Sequence, residues 1–224
     1  MKFILGLFIL VAWVGVSLGA SPTDPDKSWI LAKDCTFTAK DKSFSIRQYY
    51  NEKLGWQIWV VPRNRPAYLL PDINPDFQTS DDAATWHLSP DNRWMARSQR
   101  LGSGTSTLQL YHCDANQSLL PVTAKPLGDL ARNFYEKHSG LSRDQCFIDH
   151  PRSEFVRWEG AGVLILALSG QSTMCEPMWA TDQWLVGYNL KNRTFFLTED
   201  LIEKNEQRIY PVVHPISEAT TDLH

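Results

Sequence analysis

The sequence predicts a mainly β chain of antiparallel hairpins and meanders with one amphipathic helix near 127–138. Three observations predict it. From Ser43 onward most apolar residues alternate with period two. Short stretches rich in Gly, Pro, Asn and Asp separate the alternating runs, as turns between strands require. A single segment, "PLGDLARNFYEKHSG", changes to helical spacing.

The chain opens "MKFILGLFILVAWVGVSLGA": Lys2, an apolar run from Phe3 to Val16, then Ser17, Gly19 and Ala20. That order is expected of a secretory signal peptide over residues 1–20, and the run is shorter than the roughly 20 apolar residues that span a bilayer. Its removal takes away Lys2 and leaves 21 basic and 25 acidic residues, a net charge of −4. Such a surface does not suit nucleic acid, which selects a concentrated positive patch. No later apolar run suggests a transmembrane segment. Residues 21–42 read as an N-terminal segment, 43–216 as a single β-rich domain, and 217–224 as a disordered tail. Localisation is expected to be secreted or periplasmic.

"SFSIRQYY" and "GWQIWVV" form the first expected hairpin, turning at "NEKLG". The second of these strands is apolar on both faces, which implies either burial on both sides or an aromatic binding surface, and this makes Trp59 a candidate binding residue. "LLPDINPDFQTSDD" reads as a loop. Its Asp72, Asn74 and Asp76 mimic the start of a calcium loop, but Phe77 stands where that loop needs Gly and Ala83 where it needs Glu, so a solvated acidic loop is expected. Three strands follow in "WHLSPDNRWMARSQRLGSGTSTLQLYHC", with Asn92, Gly102 and Gly104 supplying the backbone angles for two reversals. In the helix, Leu127, Leu130, Ala131, Phe134 and Tyr135 share one face. "EFVRWEGAGVLILALSG" and "QWLVGYNLKNRTFFLT" are further hairpins, and a short helix is expected over Glu199–Asn205.

At "LSPDNRWMARS" the chain resembles a TolB-type β-propeller repeat, whose blades carry an "SPDG" turn before a "+W(I/L)A" strand and a later "LYL" strand. Ser89, Pro90 and Asp91 match, Asn92 replaces Gly, and Trp94, Ala96, Leu108, Leu110 and Tyr111 follow the pattern loosely. The resemblance spans Trp86 to Tyr111. It implies blade-like sheets in an incomplete or small propeller, since about 200 residues hold four blades at most at ~40 each. Propeller repeats mostly serve interaction surfaces, and the motif implies no catalytic residue.

Cys35, Cys113, Cys146 and Cys175 lie in the exported part and read as two disulfides. Sequence leaves three connectivities open. The expected one pairs Cys35 with Cys113 and Cys146 with Cys175, because the latter two bracket a hairpin. No metal site is expected, as Cys146 and His150 would stand about 13 Å apart along a strand rising ~3.3 Å per residue. No cofactor is expected either: "GxSxG", "HExxH" and phosphate-loop signatures are missing.

Eight tryptophans follow the leader. Indole faces stack on partner rings and are favoured at interfaces, and Trp179 and Trp184 in the loop-like "MCEPMWATDQW" are the leading binding candidates. Asp149, His150 and Glu154 are the weaker catalytic candidates, with Asp149 and His150 expected in a turn before Pro151. Asn116 in "NQS" and Asn192 in "NRT" match the N-glycan acceptor pattern. The function expected from these features is that of a binding or interaction protein whose β scaffold presents aromatic loop residues to a protein or glycan. The alternatives are a secreted hydrolase with a spatially assembled acid/base site and a structural envelope domain.

Overall fold

The computed structural model describes residues 25–71, 82–102, 104–139, 148–172, 179–206 and 208–211. Residues 1–24, which include the expected signal peptide, the calcium-like residues Asp72, Asn74 and Asp76, Cys146 and Cys175, and the tail 217–224 lie outside the described residues.

Three antiparallel sheets follow one another along the chain. In the first, β1 (Ile30–Leu31) and β2 (Phe37–Thr38) both pair with β3 (Phe44–Asn51), which forms a hairpin with β4 (Gly55–Pro62), and β5 (Tyr68–Leu69) lies on the far edge of β4. The second runs β6 (Thr85–Leu88), β7 (Trp94–Gly102), β8 (Thr105–Cys113) and β9 (Leu119–Pro121), in sequence order. Then comes α1 (Leu127–Ser139). The third sheet runs β10 (Ile148–Glu159), β11 (Val163–Ser172), β12 (Trp179–Asn189) and β13 (Thr194–Phe196). Last come α2 (Glu199–Asn205) and β14 (Ile209–Pro211), which pairs back onto β12. Among the described residues the sheets do not close into a barrel.

The mainly β class, the helix and the expected hairpins are as the period-two runs predict. Asn92 (φ 59°), Gly102 (φ 137°) and Gly104 (φ 82°) sit at the two reversals of the second sheet. The segment 21–42, set apart in the sequence, contributes β1 and β2 to the first sheet. Strands of two residues are too short to show a period. Asp149 and His150 do not form a turn. They lie in β10 at a register shift between Asp149 and Arg152, with His150 at φ 48°. A bulge absorbs the extra residue while the strand continues through Pro151.

The second sheet is buried on both faces because its strands alternate between two cores. Ala96, Leu108 and Leu110 pack with α1 and with Leu164, Leu166, Leu168 and Val186 of the third sheet. Met95, Tyr111 and Cys113 pack against Phe44, Ile46, Ile58 and Val60 of the first. Helix α1 comes close because residue 128 is Gly: a Cβ there would lie 2.0 Å from Ser153 Oγ.

Between the first and second sheets the core turns polar. Arg97, Gln99, Thr107 and Gln109 are buried on neighbouring strands, with Arg97 opposite Gln109 and Gln99 opposite Thr107. The Arg97 guanidinium lies 5.6 Å from the Trp86 ring centroid and donates to Gln99. Gln48 reaches across from β3, donating to Cys35 O and Ala84 O while accepting from Ala84 N–H, each at 2.8 Å.

All three sheets point the same way. Tyr68, beside the end of β4, accepts from Leu119 N–H at 2.8 Å, and Arg65 donates to Ser118 Oγ at 3.1 Å, beside the end of β8. At the opposite end Gly104, just before β8, lies against His150, near the start of β10, and Ser106 exchanges hydrogen bonds with Ser153 further along that strand. Pairing through β11 carries that start to the start of β12. The third strands β4, β8 and β12 therefore all finish at one end, called here the distal end, and start at the proximal end.

On the interface between the second and third sheets, His87 stacks on Phe155, with ring centroids 4.0 Å apart and planes 11° apart. Burial holds its pKa below the ordinary histidine value. Below about pH 6.5 the unfolded chain takes up a proton that folded His87 resists, so stability falls there until the pH passes below the folded pKa. Thermal melts from pH 7 to pH 4.5 are expected to show this decline. Its slope should flatten in His87→Gln, and an unchanged slope would remove His87 as its source.

Candidate functional site

The tryptophans chosen from the sequence all lie in strands. Trp184 lies inside β12, opposite Leu168, 4% exposed and edge-on to Tyr135 with ring centroids 4.9 Å apart. Trp59 is 4% exposed within β4 and donates Nε1–H to Gln57 Oε1 at 3.1 Å. For Trp59 burial is the outcome of the two that its strand allowed, and for Trp184 the loop reading is corrected: polar neighbours such as Asp182 and Gln183 made "ATDQW" read as a loop, yet they are accommodated by a register shift between Leu168 and Gly170. Trp179 is also in a strand, the first residue of β12, and its side chain lies outside the described residues.

Nor are the acid/base candidates seen to meet. His150 is exposed, with its imidazole against Gly104. Glu154 accepts from Gln183 Nε2 at 3.3 Å on the third sheet. The Asp149 side chain lies outside the described residues. Among the described residues no group of three His, Cys, Asp or Glu side chains could hold a metal ion.

Cys35 and Cys113 are free thiols, so the expected bond between them is not formed. Cys113 ends β8 in the core between the first two sheets, where burial pushes its thiol up to about 12. It is protonated at neutral pH and a poor nucleophile.

A cavity of about 290 Å³ opens instead at the proximal end of the first sheet, lined by Trp29, Leu54, Trp56, Gln57, Ile58, Leu69, Leu70 and Pro71. Local structure places each wall. The Asn51 side chain accepts from the N–H groups of Lys53 and Leu54, at 2.9 and 3.1 Å, and Gly55 takes φ 78°, so the β3–β4 turn sets Leu54 on the rim. The same Asn51 donates to Ser28 O at 3.1 Å, tying the N-terminal segment to that turn and fixing Trp29 beside it. Asp26 caps this segment by accepting from Ser28, and these bonds hold its carboxyl below the usual range. Trp56 is braced by Tyr50, its cross-strand partner, with rings 5.1 Å apart. The opposite wall is held by Leu70 N–H, which donates to Ile58 O at 2.8 Å.

The cavity can take a small ring. Its lining residues are two tryptophans, Gln57, aliphatic residues and Pro71, with no charged residue among them. The bond from Trp59 engages Gln57 Oε1 and leaves Nε2 to donate. The rim is open, since Leu54 is 62% and Leu69 46% exposed. Sequence reasoning missed Trp29 and Trp56 as a pair because it set 21–42 apart from the domain. The signal available was the apolar triplet Trp29–Leu31 ahead of the first alternating run. Among the described residues no helix is long and apolar enough to cross a membrane. Compared with known proteins, the chain matches no family model, no curated protein and no solved structure.

Proposed function

We propose that the chain is an exported, non-enzymatic binding protein that holds one neutral sugar ring of a glycan in the Trp29–Trp56 cavity. The observation that carries this reading is one open-rimmed cavity lined by two tryptophans and an uncharged Gln57 that Trp59 orients, with no charged residue. Small-molecule sites are mostly apolar and aromatic with a few placed polar groups. A pyranose offers the matching surface, a C–H face for indole and hydroxyls for Gln57. A cavity near the small end of the usual range of roughly 300–1,000 Å³ suits one ring, and its open rim lets a longer chain leave.

Three successive four-stranded paths, stacked and pointing the same way, support the blade-type scaffold that the Trp86–Tyr111 resemblance implies. The apolar leader supports export.

Titration of the secreted chain with neutral oligosaccharides is expected to give a saturable change in tryptophan emission. The change should vanish in Trp56→Ala and Trp29→Ala and weaken about tenfold in Gln57→Leu, the loss of one hydrogen bond. Variants that keep the wild-type melting midpoint yet retain full affinity would overturn the reading, as would a panel of neutral sugars that gives no saturable change.

A further inference from the structure

We infer that Asn116 and Asn192 are N-glycan acceptors and that both glycans stand on the distal end of the stack, leaving the proximal cavity bare. The inference rests on the export reading.

Both residues begin an Asn-X-Ser/Thr triplet, Asn116-Gln117-Ser118 and Asn192-Arg193-Thr194, the acceptor pattern of exported eukaryotic chains. The triplet is necessary and far from sufficient, because a buried or strand-bound Asn would carry a bulky glycan into the core. The fold places both where that objection fails. Asn116 is exposed in the turn joining β8 to β9, and Asn192 is exposed in the turn joining β12 to β13. These are the same connection, third strand to fourth, in two successive sheets.

The turns are built without the acceptor side chains. Asp114 Oδ1 accepts from the N–H groups of Asn116 and Ser118 at 2.8 and 2.7 Å. Asn189 Oδ1 accepts from those of Lys191 and Asn192, both at 3.0 Å. A glycan on either amide therefore costs no turn hydrogen bond. Because β8 and β12 finish at the same end, the two glycans project together from it. The cavity, beside the start of β4, faces the other way.

In the transfer, Asn Nδ2 bonds to the anomeric carbon of an oligosaccharide carried on a polyprenyl diphosphate. The bond from that carbon to the diphosphate oxygen breaks, the diphosphate leaves with the electron pair, and the amide proton passes to a base of the transferase.

The test is expression of the full chain in cultured animal cells, with intact mass read on the secreted and the cell-associated protein. Two glycan increments are expected, both released by an N-glycan amidase. Asn116→Gln and Asn192→Gln should each lose one increment, and the double variant both, with melting midpoints within about 1 °C of the unmodified chain, as for exposed turn substitutions. A second version carries the leader of a known secreted protein in place of residues 1–20. Glycans on that version alone would refute export by the native leader and uphold the acceptor sites. A bare chain from that version would overturn the sites themselves, and one increment would overturn the site left empty.

Discussion

Trp184→Ala is expected to cost about 4 kcal/mol of stability, the scale of emptying a large aromatic from a close-packed core. The indole is buried between β12 and α1, edge-on to Tyr135, in the cluster that joins the second and third sheets. Its removal leaves a cavity that α1 cannot fill by sliding, because Gly128 already rests against Ser153 and the Leu108 backbone. Urea denaturation should show a lower midpoint at unchanged slope, the mark of a stability change alone. The emission response to neutral sugars proposed for the Trp29–Trp56 cavity should be untouched in the fraction still folded. A stable Trp184→Ala variant with weakened binding would return this residue to the role its neighbours in the sequence suggest.

Gln48→Leu is expected to cost about as much, by another mechanism. The side chain is 1% exposed and meets three backbone groups, the carbonyls of Cys35 and Ala84 and the Ala84 N–H. Leucine nearly matches its volume and satisfies none of them. Each buried group left without a partner costs roughly 1–3 kcal/mol, so a loss of about 4 kcal/mol follows. Gln48→Glu separates shape from bonding: a carboxylate accepts from Ala84 N–H but has no hydrogen for either carbonyl. Both variants should melt well below the wild type. A Leu variant as stable as the wild type would mean that water or a rearranged backbone takes over the three bonds.

The strands were legible where side-chain alternation or an apolar run extends over several residues, as in β3, β4, β7, β8 and β10 to β12, and α1 was legible from its single apolar face. Two-residue strands were not, because β1, β2 and β5 exist only through what they pair with. The site was less legible still. Trp29 and Trp56 stand 27 positions apart in the sequence, and what joins them is one Asn51 side chain that closes its own turn and also holds Ser28. Trp184 misled for the converse reason. A polar run around a bulge resembles a loop in one dimension, whereas in three dimensions Ser169 accepts from Gln183 N–H and Arg208 donates to Gln183 O.

The side chain of Asn205 acts on β12 as a further strand would, accepting from Leu185 N–H and donating to Leu185 O, both at 2.7 Å, in the gap that β13 and β14 leave open. One amide at the centre of the third sheet is thus guarded by a seven-residue helix while its neighbours are guarded by β11. Segments that open separately exchange their amide hydrogens on separate clocks. The Leu185 amide keeps the time of α2, and its exchange measures how often that helix lifts from a sheet that stays folded beneath it.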